Sequence, residues 1–292
     1  MKETLLAVEN LSCGYGKEIV LHDVSCRVSQ GELIGIIGPN GCGKTTFLRS
    51  IAGILKPQNG DIFLGGKSLS RIHRKDLAQK IAVVSQFAEP ILMTVSEYIL
   101  LGRLPYYRKY QLFETKQDEA IVRRYMELTD LMGLKEMFMN RISGGERQLA
   151  SIARALAQEP ALLLLDEPTS HLDITHQVKI LGLIKQLNTE LSLTVIMVLH
   201  DLNLASEYAS RLFLLEKGTI YKTGTPEEVL TYRTIEEVYK TTVIVEKSPL
   251  SGKPYIFLVT EEAKKSPMGS PMRPEKTGAS LHHEREMRRD HD

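Results

Sequence analysis

The hydrophobic positions of this chain follow two rhythms that alternate along its length. Unbroken apolar stretches of strand length occupy residues 33–37, 81–84, 161–165 and 194–199, the pattern of parallel strands buried on both faces. Between them apolar residues recur at helical spacing. One set is Phe47, Leu48, Ile51 and Leu55, up to the break at Lys56-Pro57; the others are Ile121, Val122, Tyr125, Met126 and Leu128, then Leu149, Ile152, Ala153 and Leu156. Strand alternating with helix predicts an α/β fold around a parallel sheet. Two regions depart from that rhythm. Residues 5–8 and 19–28 read as strands, and Val24, Cys26 and Val28 alternate with Ser25 and Arg27, which predicts an antiparallel β subdomain at the N-terminus. From about residue 90 to 158 helical periodicity dominates, interrupted at residues 102–107, which predicts a helical insertion.

Further on, residues 211–223 predict two strands around Lys217-Gly218. Thr225-Pro226-Glu227-Glu228 then opens a helix with proline near its first position and acids in its first turn. Residues 243–245 and 256–259 predict a hairpin, making 241–260 a small β extension. From 261 to 292 apolar residues are scarce and prolines and charges mix, so a disordered charged tail is expected, with its His282, His283 and His291 solvated.

Composition narrows the function only by exclusion. A net charge of +1 gives no electrostatic reason to expect nucleic acid or a polybasic membrane anchor. Cys13, Cys26 and Cys42 have no metal-ligand spacing, and their odd number suits a reducing compartment. No apolar run approaches a membrane span and Met1-Lys2-Glu3-Thr4 does not open like a signal peptide, so a cytosolic chain is expected.

The candidate chemistry begins at Gly38-Pro39-Asn40-Gly41-Cys42-Gly43-Lys44-Thr45-Thr46, which fits G-x-x-x-x-G-K-[ST] and stands between a predicted strand and a predicted helix. Glycines there let backbone N–H groups curl around phosphate oxygens, and the helix start adds partial positive charge. Lys44 can reach the β- and γ-phosphates and the Thr45 hydroxyl can ligate Mg²⁺, so a nucleoside triphosphate is the expected ligand. Alkylation of Cys42 is expected to block its binding. The apolar run at 161–165 ends in Asp166-Glu167-Pro168, and carboxylates beside a phosphate loop suit Mg²⁺ and a nucleophilic water respectively. Gln86 follows one predicted strand and His200 another, at the edge of an α/β sheet where ligands bind. Ser143-Gly144-Gly145-Glu146 has the S-x-x-E capping pattern. Its two glycines each cost about 1 kcal/mol in a helix relative to alanine, which predicts close approach by another group such as a phosphate. Tyr15, expected on a glycine-flanked loop at 13–16, offers a ring on which a base can stack.

In this order and spacing the motifs resemble the ATPase subunits of ABC transporters over roughly residues 3–240. Tyr15, Gly38–Thr46, Gln86, Ser143–Gln148, Asp166-Glu167, Ser170–Asp173 and His200 match that family's A-loop, Walker A, Q-loop, signature, Walker B, D-loop and H-loop. The resemblance implies a P-loop NTPase with a RecA-like parallel core, an N-terminal antiparallel β subdomain and a helical insertion subdomain. It implies ATP and Mg²⁺ as cofactors, and a homodimer paired head to tail with each ATP between one chain's Walker A and the other's signature. Tyr15 is then expected on the adenine, and Gly38, Asn40, Gly41, Cys42, Gly43, Lys44, Thr45 and Thr46 around the phosphates. Thr45, Gln86 and Asp166 are expected to serve Mg²⁺, Glu167 the attacking water and His200 the γ-phosphate. Ser143, Gly144 and Gly145, with Glu146 where glutamine is commoner, are expected to close over the partner's γ-phosphate, and Asp173 to link the two sites. A permease in the membrane and an extracytoplasmic substrate-binding protein are implied as partners, with the chain peripheral at the cytoplasmic face.

A finer resemblance lies in Met93-Thr94-Val95-Ser96-Glu97-Tyr98, Leu101-Gly102-Arg103-Leu104-Pro105-Tyr106 and His200-Asp201-Leu202-Asn203-Leu204-Ala205. These look like the importers of iron-siderophores, haem and cobalamin, and molybdate importers of the same structural type share the features. ABC ATPases that act on DNA or ribosomes fit less well. The stretch between Gln86 and Ser143 is compact and without sustained heptads, and the chain has one Walker A.

Overall fold

A computed structural model describes residues 3–85, 92–111 and 113–260. At its centre lies a six-stranded sheet in the order Thr219–Gly224, Arg211–Glu216, Leu33–Ile37, Thr194–Val198, Leu162–Asp166, Ile81–Val84, in which all but the edge strand Thr219–Gly224 run parallel. The unbroken apolar runs are explained by burial on two faces. Leu162 and Leu164 pack with Phe47, Leu48, Ile51 and the β subdomain, whereas Leu163 and Leu165 pack with Leu149, Ile152, Ile180 and Ile184 on the other face. Each such leucine is fully buried and contributes about 1.5–3 kcal/mol, so this sheet is the rigid platform of the molecule.

The N-terminal sheet has the order Glu18–Ser29, Thr4–Tyr15, Asn59–Leu64, Lys67–Ser68. The loop expected at 13–16 is instead strand, because pairing continues through Cys13 with Leu21, Gly14 with Ile19 and Tyr15 with Glu18, leaving only Gly16-Lys17 to turn. A second difference concerns the helix after the phosphate loop. It spans Lys44–Ile51 rather than reaching Leu55. Gly53 takes the left-handed conformation (φ 71°), its N–H donates to Ser50 O, and Ile54 N–H donates to Arg49 O, the paired bonds of a Schellman stop.

The insertion holds the helices Val95–Leu100 and Lys116–Leu128, joined through the 3₁₀ segment Leu101–Tyr106, before the long helix Gly144–Ala157. The break in periodicity at 102–107 is a buried polar joint. Arg103 Nε donates to Asp118 Oδ1 at 2.9 Å, and its Nη1 donates to Ala157 O at 2.7 Å and Glu159 Oε2 at 3.0 Å. Its guanidinium lies 3.9 Å from the Tyr106 ring centre, and Tyr106 Oη donates to Gln158 O at 2.9 Å. The joint therefore ties the insertion to the end of Gly144–Ala157.

The C-terminal hairpin pairs Val243–Lys247 with Pro254–Leu258, after the helices Pro226–Val229 and Tyr232–Tyr239. All of it but Leu258 belongs to the compact unit that ends at Phe257. Helix Leu202–Tyr208 grips it. Asn203 Nδ2 donates to Ile256 O at 3.1 Å and Asn203 Oδ1 accepts from Ile256 N at 2.7 Å, while Ser206 Oγ donates to Pro254 O at 2.7 Å. Lys253 Nζ donates to the carbonyls of Ser206 (3.0 Å) and Glu207 (2.7 Å) at the helix C-terminus, a favourable place for a cation. Asn203→Ala leaves the Ile256 amide and carbonyl without these partners and is expected to cost about 1–3 kcal/mol, measured by urea unfolding. The tail expected from residue 261 lies outside the described residues. No helix among the described residues is long and apolar enough to cross a membrane.

Candidate active site

The phosphate loop joins the buried strand Leu33–Ile37 to the helix Lys44–Ile51. Every other α-helix among the described residues has a side chain accepting a hydrogen bond at its N-terminus, whereas here the capping position is Gly43 (φ 103°) and no side chain caps it. Its first N–H groups and its positive dipole end are thus left for an anion. The loop is tightly held from behind. Cys42 O accepts from Gly218 N at 3.0 Å, and a Cβ on Gly38 would lie 2.2 Å from Leu215 O. Lys44 is buried beneath the loop, its Nζ donating to Gly38 O at 2.9 Å and Pro39 O at 3.0 Å.

The strand Leu162–Asp166 carries its carboxylates to the same edge. Thr45 Oγ1 donates to Asp166 Oδ1 at 3.3 Å, joining the two motifs across the sheet. Asp166 is only 9% exposed, and its burial pushes the carboxyl up. The Thr45 hydroxyl opposes that shift and the neighbouring Glu167 charge adds to it. Glu167 takes a left-handed conformation (φ 53°) directly before Pro168, a strain of about 1–3 kcal/mol for a residue that is not glycine. Its Oε1 meets His200 Nε2, and its Oε2 accepts from Ser170 Oγ at 2.8 Å. Burial opposes ionisation of Glu167, but these two hydrogen bonds outweigh it and hold the carboxyl below its usual value. Glu167 is therefore ionised at neutral pH, and His200 stands against it from the end of Thr194–Val198.

Tyr15, at the end of its strand, is 45% exposed, and its Oη accepts from Arg49 Nη1 at 3.2 Å. Arg49 lies on the phosphate-loop helix, so the half-exposed ring is tied to that helix. Gln86, the remaining expected group, lies outside the described residues.

Ser143 caps Gly144–Ala157 as its sequence predicts: Ser143 Oγ accepts from Glu146 N at 3.3 Å and Glu146 Oε2 accepts from Ser143 N at 2.7 Å. The carboxylate of Glu146 is thereby folded back on its own helix start. Among the described residues no hydrogen bond joins Ser143–Glu146 to the phosphate loop of the same chain. The close approach predicted for the two glycines is found at one of them, and its agent is internal: a Cβ on Gly145 would lie 2.0 Å from Cδ2 of His176. Gly144 has open space, its nearest neighbour being a Leu172 methyl at 3.9 Å from such a Cβ. Sequence reasoning passed over His176, and the only signal for it was its position three residues after Asp173.

The alkylation expected at Cys42 meets an obstacle. The residue is 5% exposed, and burial pushes its thiol above the ordinary 9.0 despite the nearby Lys44. Maleimide is expected to modify Cys42 about 10²-fold or more slowly in the native protein than in urea, because thiolate and access are both required; equal rates by mass spectrometry would contradict this.

Comparison with known proteins agrees with this geometry. The family model described as ABC transporter matches residues 21–170. The chain is 39% identical over 255 residues to the probable siderophore transport system ATP-binding protein YusV of Bacillus subtilis, covering 87% of this chain and 92% of that protein. Among solved structures, an inward-facing putative metal-chelate type ABC transporter aligns with a TM-score of 0.78 at 26% identity, over 89% of this chain and 99% of that one. The dimeric ABC transporter cassette MJ0796 aligns with a TM-score of 0.67 at 30% identity, over 76% of this chain and 98% of that one. A phosphate loop at an uncapped helix, two carboxylates on the adjoining strand and a match along most of the chain agree: this protein belongs to the ABC transporter family, as an ATP-binding subunit that hydrolyses ATP.

Proposed function

We propose that this chain works as a homodimer with two shared ATP sites and drives import of a metal chelate or related cargo (a ferric siderophore, haem or cobalamin) through a separate permease at the cytoplasmic face of the membrane. The observation that carries the nucleotide part is the uncapped N-terminus of Lys44–Ile51 above a loop whose lysine is buried beneath it. The loop amides from Gly38 to Thr46, with Asn40, Gly41 and Cys42 between the conformationally special glycines, bind the phosphates. Lys44 exchanges its two carbonyl contacts for β- and γ-oxygens, and Tyr15 stacks on the adenine.

Mg²⁺ fits the residues present. Thr45 and Asp166 offer hard oxygen donors in contact with each other, and the Asp166 carboxyl, pushed up by burial, is one that a cation would favour in its charged form. Among the described residues no group of three His, Cys, Asp or Glu side chains forms a cage, which matches an ion held by one carboxylate, a hydroxyl and substrate phosphates. Gln86 belongs to the same set by its sequence position. When bound, the ion neutralises charge developing on the transferred phosphoryl group.

Glu167 orients the attacking water and takes its proton, once its Oε1 is released from His200. His200, freed in the same exchange, turns to the γ-phosphate. Ser143, Gly144 and Gly145, with Glu146 capping the turn, make no hydrogen bond to their own chain's phosphate loop among the described residues, and face the ATP of the partner. Asp173, at the cap of Ile174–Leu191, reports that closure to the other site. The cargo class rests on the relatives' names and on the 93–106 and 200–205 motifs, and an extracytoplasmic binding protein completes the assembly.

Light scattering with Glu167→Gln tests the shared site. With Mg²⁺ and ATP the mass is expected to double, with two nucleotides bound per dimer; a monomer holding one ATP at saturation would contradict it. EDTA is expected to lower wild-type turnover about 10²-fold or more, since the metal supplies several kcal/mol of transition-state stabilisation.

A further inference from the structure

The groups joined at His176 belong to two motifs that the sequence keeps far apart. Asp173 Oδ1 accepts from the backbone N of His176 at 2.9 Å and caps the helix Ile174–Leu191. The ring Nδ1 of His176 lies 3.0 Å from Asp173 Oδ1 and 2.9 Å from Oδ2. Hydrogen bonds from His176 and Thr175 hold the Asp173 carboxyl below its usual value, so it is ionised and only accepts; Nδ1 therefore carries the proton. On its other side the ring occupies the space that a side chain on Gly145 would need, with Cδ2, Cγ and Nε2 at 2.0, 2.5 and 2.6 Å from the Cβ position. Gly145 is in the first turn of Gly144–Ala157, the turn that Ser143 and Glu146 cap.

We infer that His176 is a positioning residue that fixes the Asp173 carboxylate and the first turn of the Gly144–Ala157 helix relative to each other, so that the two reach the partner chain's nucleotide as one body. The inference rests on the shared-site reading above and assigns to that site a residue outside the recognised motifs. A half-buried imidazole suits the task. It is rigid, it spans the gap with one face against Gly145, and it has a single N–H aimed at the carboxylate. With the ring removed, Asp173 keeps its cap on the helix but loses its side-chain partner, and the signature turn loses the wall behind Gly145. A shift of about 1 Å in a group far from the chemistry is enough to cost up to about 10²-fold in rate.

Three substitutions in the full-length chain test this through steady-state ATPase kinetics and thermal unfolding. His176→Ala is expected to lower kcat about 10-fold or more and to bring the Hill coefficient for ATP down toward 1, with KM changed less than about twofold, since ATP affinity is set elsewhere. His176→Phe refills the space over Gly145 but cannot donate to Asp173, and is expected to resemble His176→Ala. His176→Asn presents an N–H near the Nδ1 position and is expected to restore kcat and the Hill coefficient to within about threefold of wild type. Wild-type kinetics in His176→Ala would overturn the inference. So would rescue by His176→Phe equal to that by His176→Asn, which would reduce the ring to packing, or no rescue by His176→Asn. A wild-type protein without cooperative ATPase activity would instead sink the shared-site reading on which the inference stands, and the two failures are told apart by that control.

Discussion

Glu167→Gln is expected to lower ATP turnover about 10²–10⁴-fold while ATP binding is retained, the range for loss of a general base. The substitution is close to isosteric. The carbonyl of the introduced amide can still accept from Ser170 Oγ, which donates to the native carboxylate at 2.8 Å, so the left-handed backbone before Pro168 has no new reason to move. What disappears is the charge that Ser170 and His200 hold in place, and with it the acceptor for a proton from water. The same hydrogen bonds set the pH dependence. Because the Glu167 carboxyl is held below its ordinary 4.5, it is charged throughout the neutral range. The acid limb that it imposes on kcat/KM is therefore expected below pH 4.5, the profile of the free enzyme. Near-wild-type turnover in Glu167→Gln, measured by phosphate release at saturating Mg²⁺ and ATP, would remove Glu167 from the mechanism.

The largest loss of stability is expected from Arg103→Met. The side chains of Arg103 and Asp118 are only 4% and 7% exposed, so removing the cation leaves a buried carboxylate facing a hydrocarbon chain. Breaking a buried pair in this way typically costs about 3–5 kcal/mol. Ala157 O and Glu159 lose their donor as well, which frees the end of Gly144–Ala157 from the insertion. Arg103→Met with Asp118→Leu, which removes both charges, is expected to recover much of the loss, because burying the pair at all has its own desolvation cost. The joint also predicts a pH signature. Burial opposes ionisation of Asp118, but Thr115 and Arg103 together hold its carboxyl below the ordinary 3.8. Its folded value is thus lower than its unfolded one, so its contribution is complete above that ordinary value and is lost as pH falls through the depressed one. Urea titrations of wild type and Arg103→Met are expected to converge for this contribution as pH falls below the ordinary 3.8; a gap that stays constant on acidification would assign the loss to packing.

The phosphate loop was legible because nine neighbouring residues specify it, from Gly38 to Thr46, and the all-apolar runs were legible because burial on two faces removes polar alternation. The Ser143 cap was readable for the same local reason, as was the C-terminal hairpin. Three kinds of feature escaped. At Tyr15 a glycine-rich stretch reads as loop, but the tight hairpin with residues 18–21 carries strand pairing through it and leaves only Gly16-Lys17 to turn. At Gly53 a left-handed stop preceded the stronger proline signal, so continued apolar spacing at Leu55 misplaced the helix end. Arg103 and His176 escaped because their meaning depends on partners distant in sequence. Nothing local tells Arg103 that it will meet Glu159, or His176 that it will lie on Gly145. The motif residues 102–106, recognisable as a family feature, acquire a physical reason only when that joint is visible.

That ATP hydrolysis at this site drives a membrane permease is tested most directly by affinity capture. The full chain carrying Glu167→Gln is recovered from detergent-solubilised membranes with Mg²⁺ and ATP, and its companions are identified by mass spectrometry. The expected result is a polytopic membrane protein, stoichiometric with a dimer of this chain, whose removal abolishes uptake of a metal chelate. Capture of ribosomal or DNA-bound proteins with no membrane protein would contradict it and leave an ATPase whose work is done elsewhere.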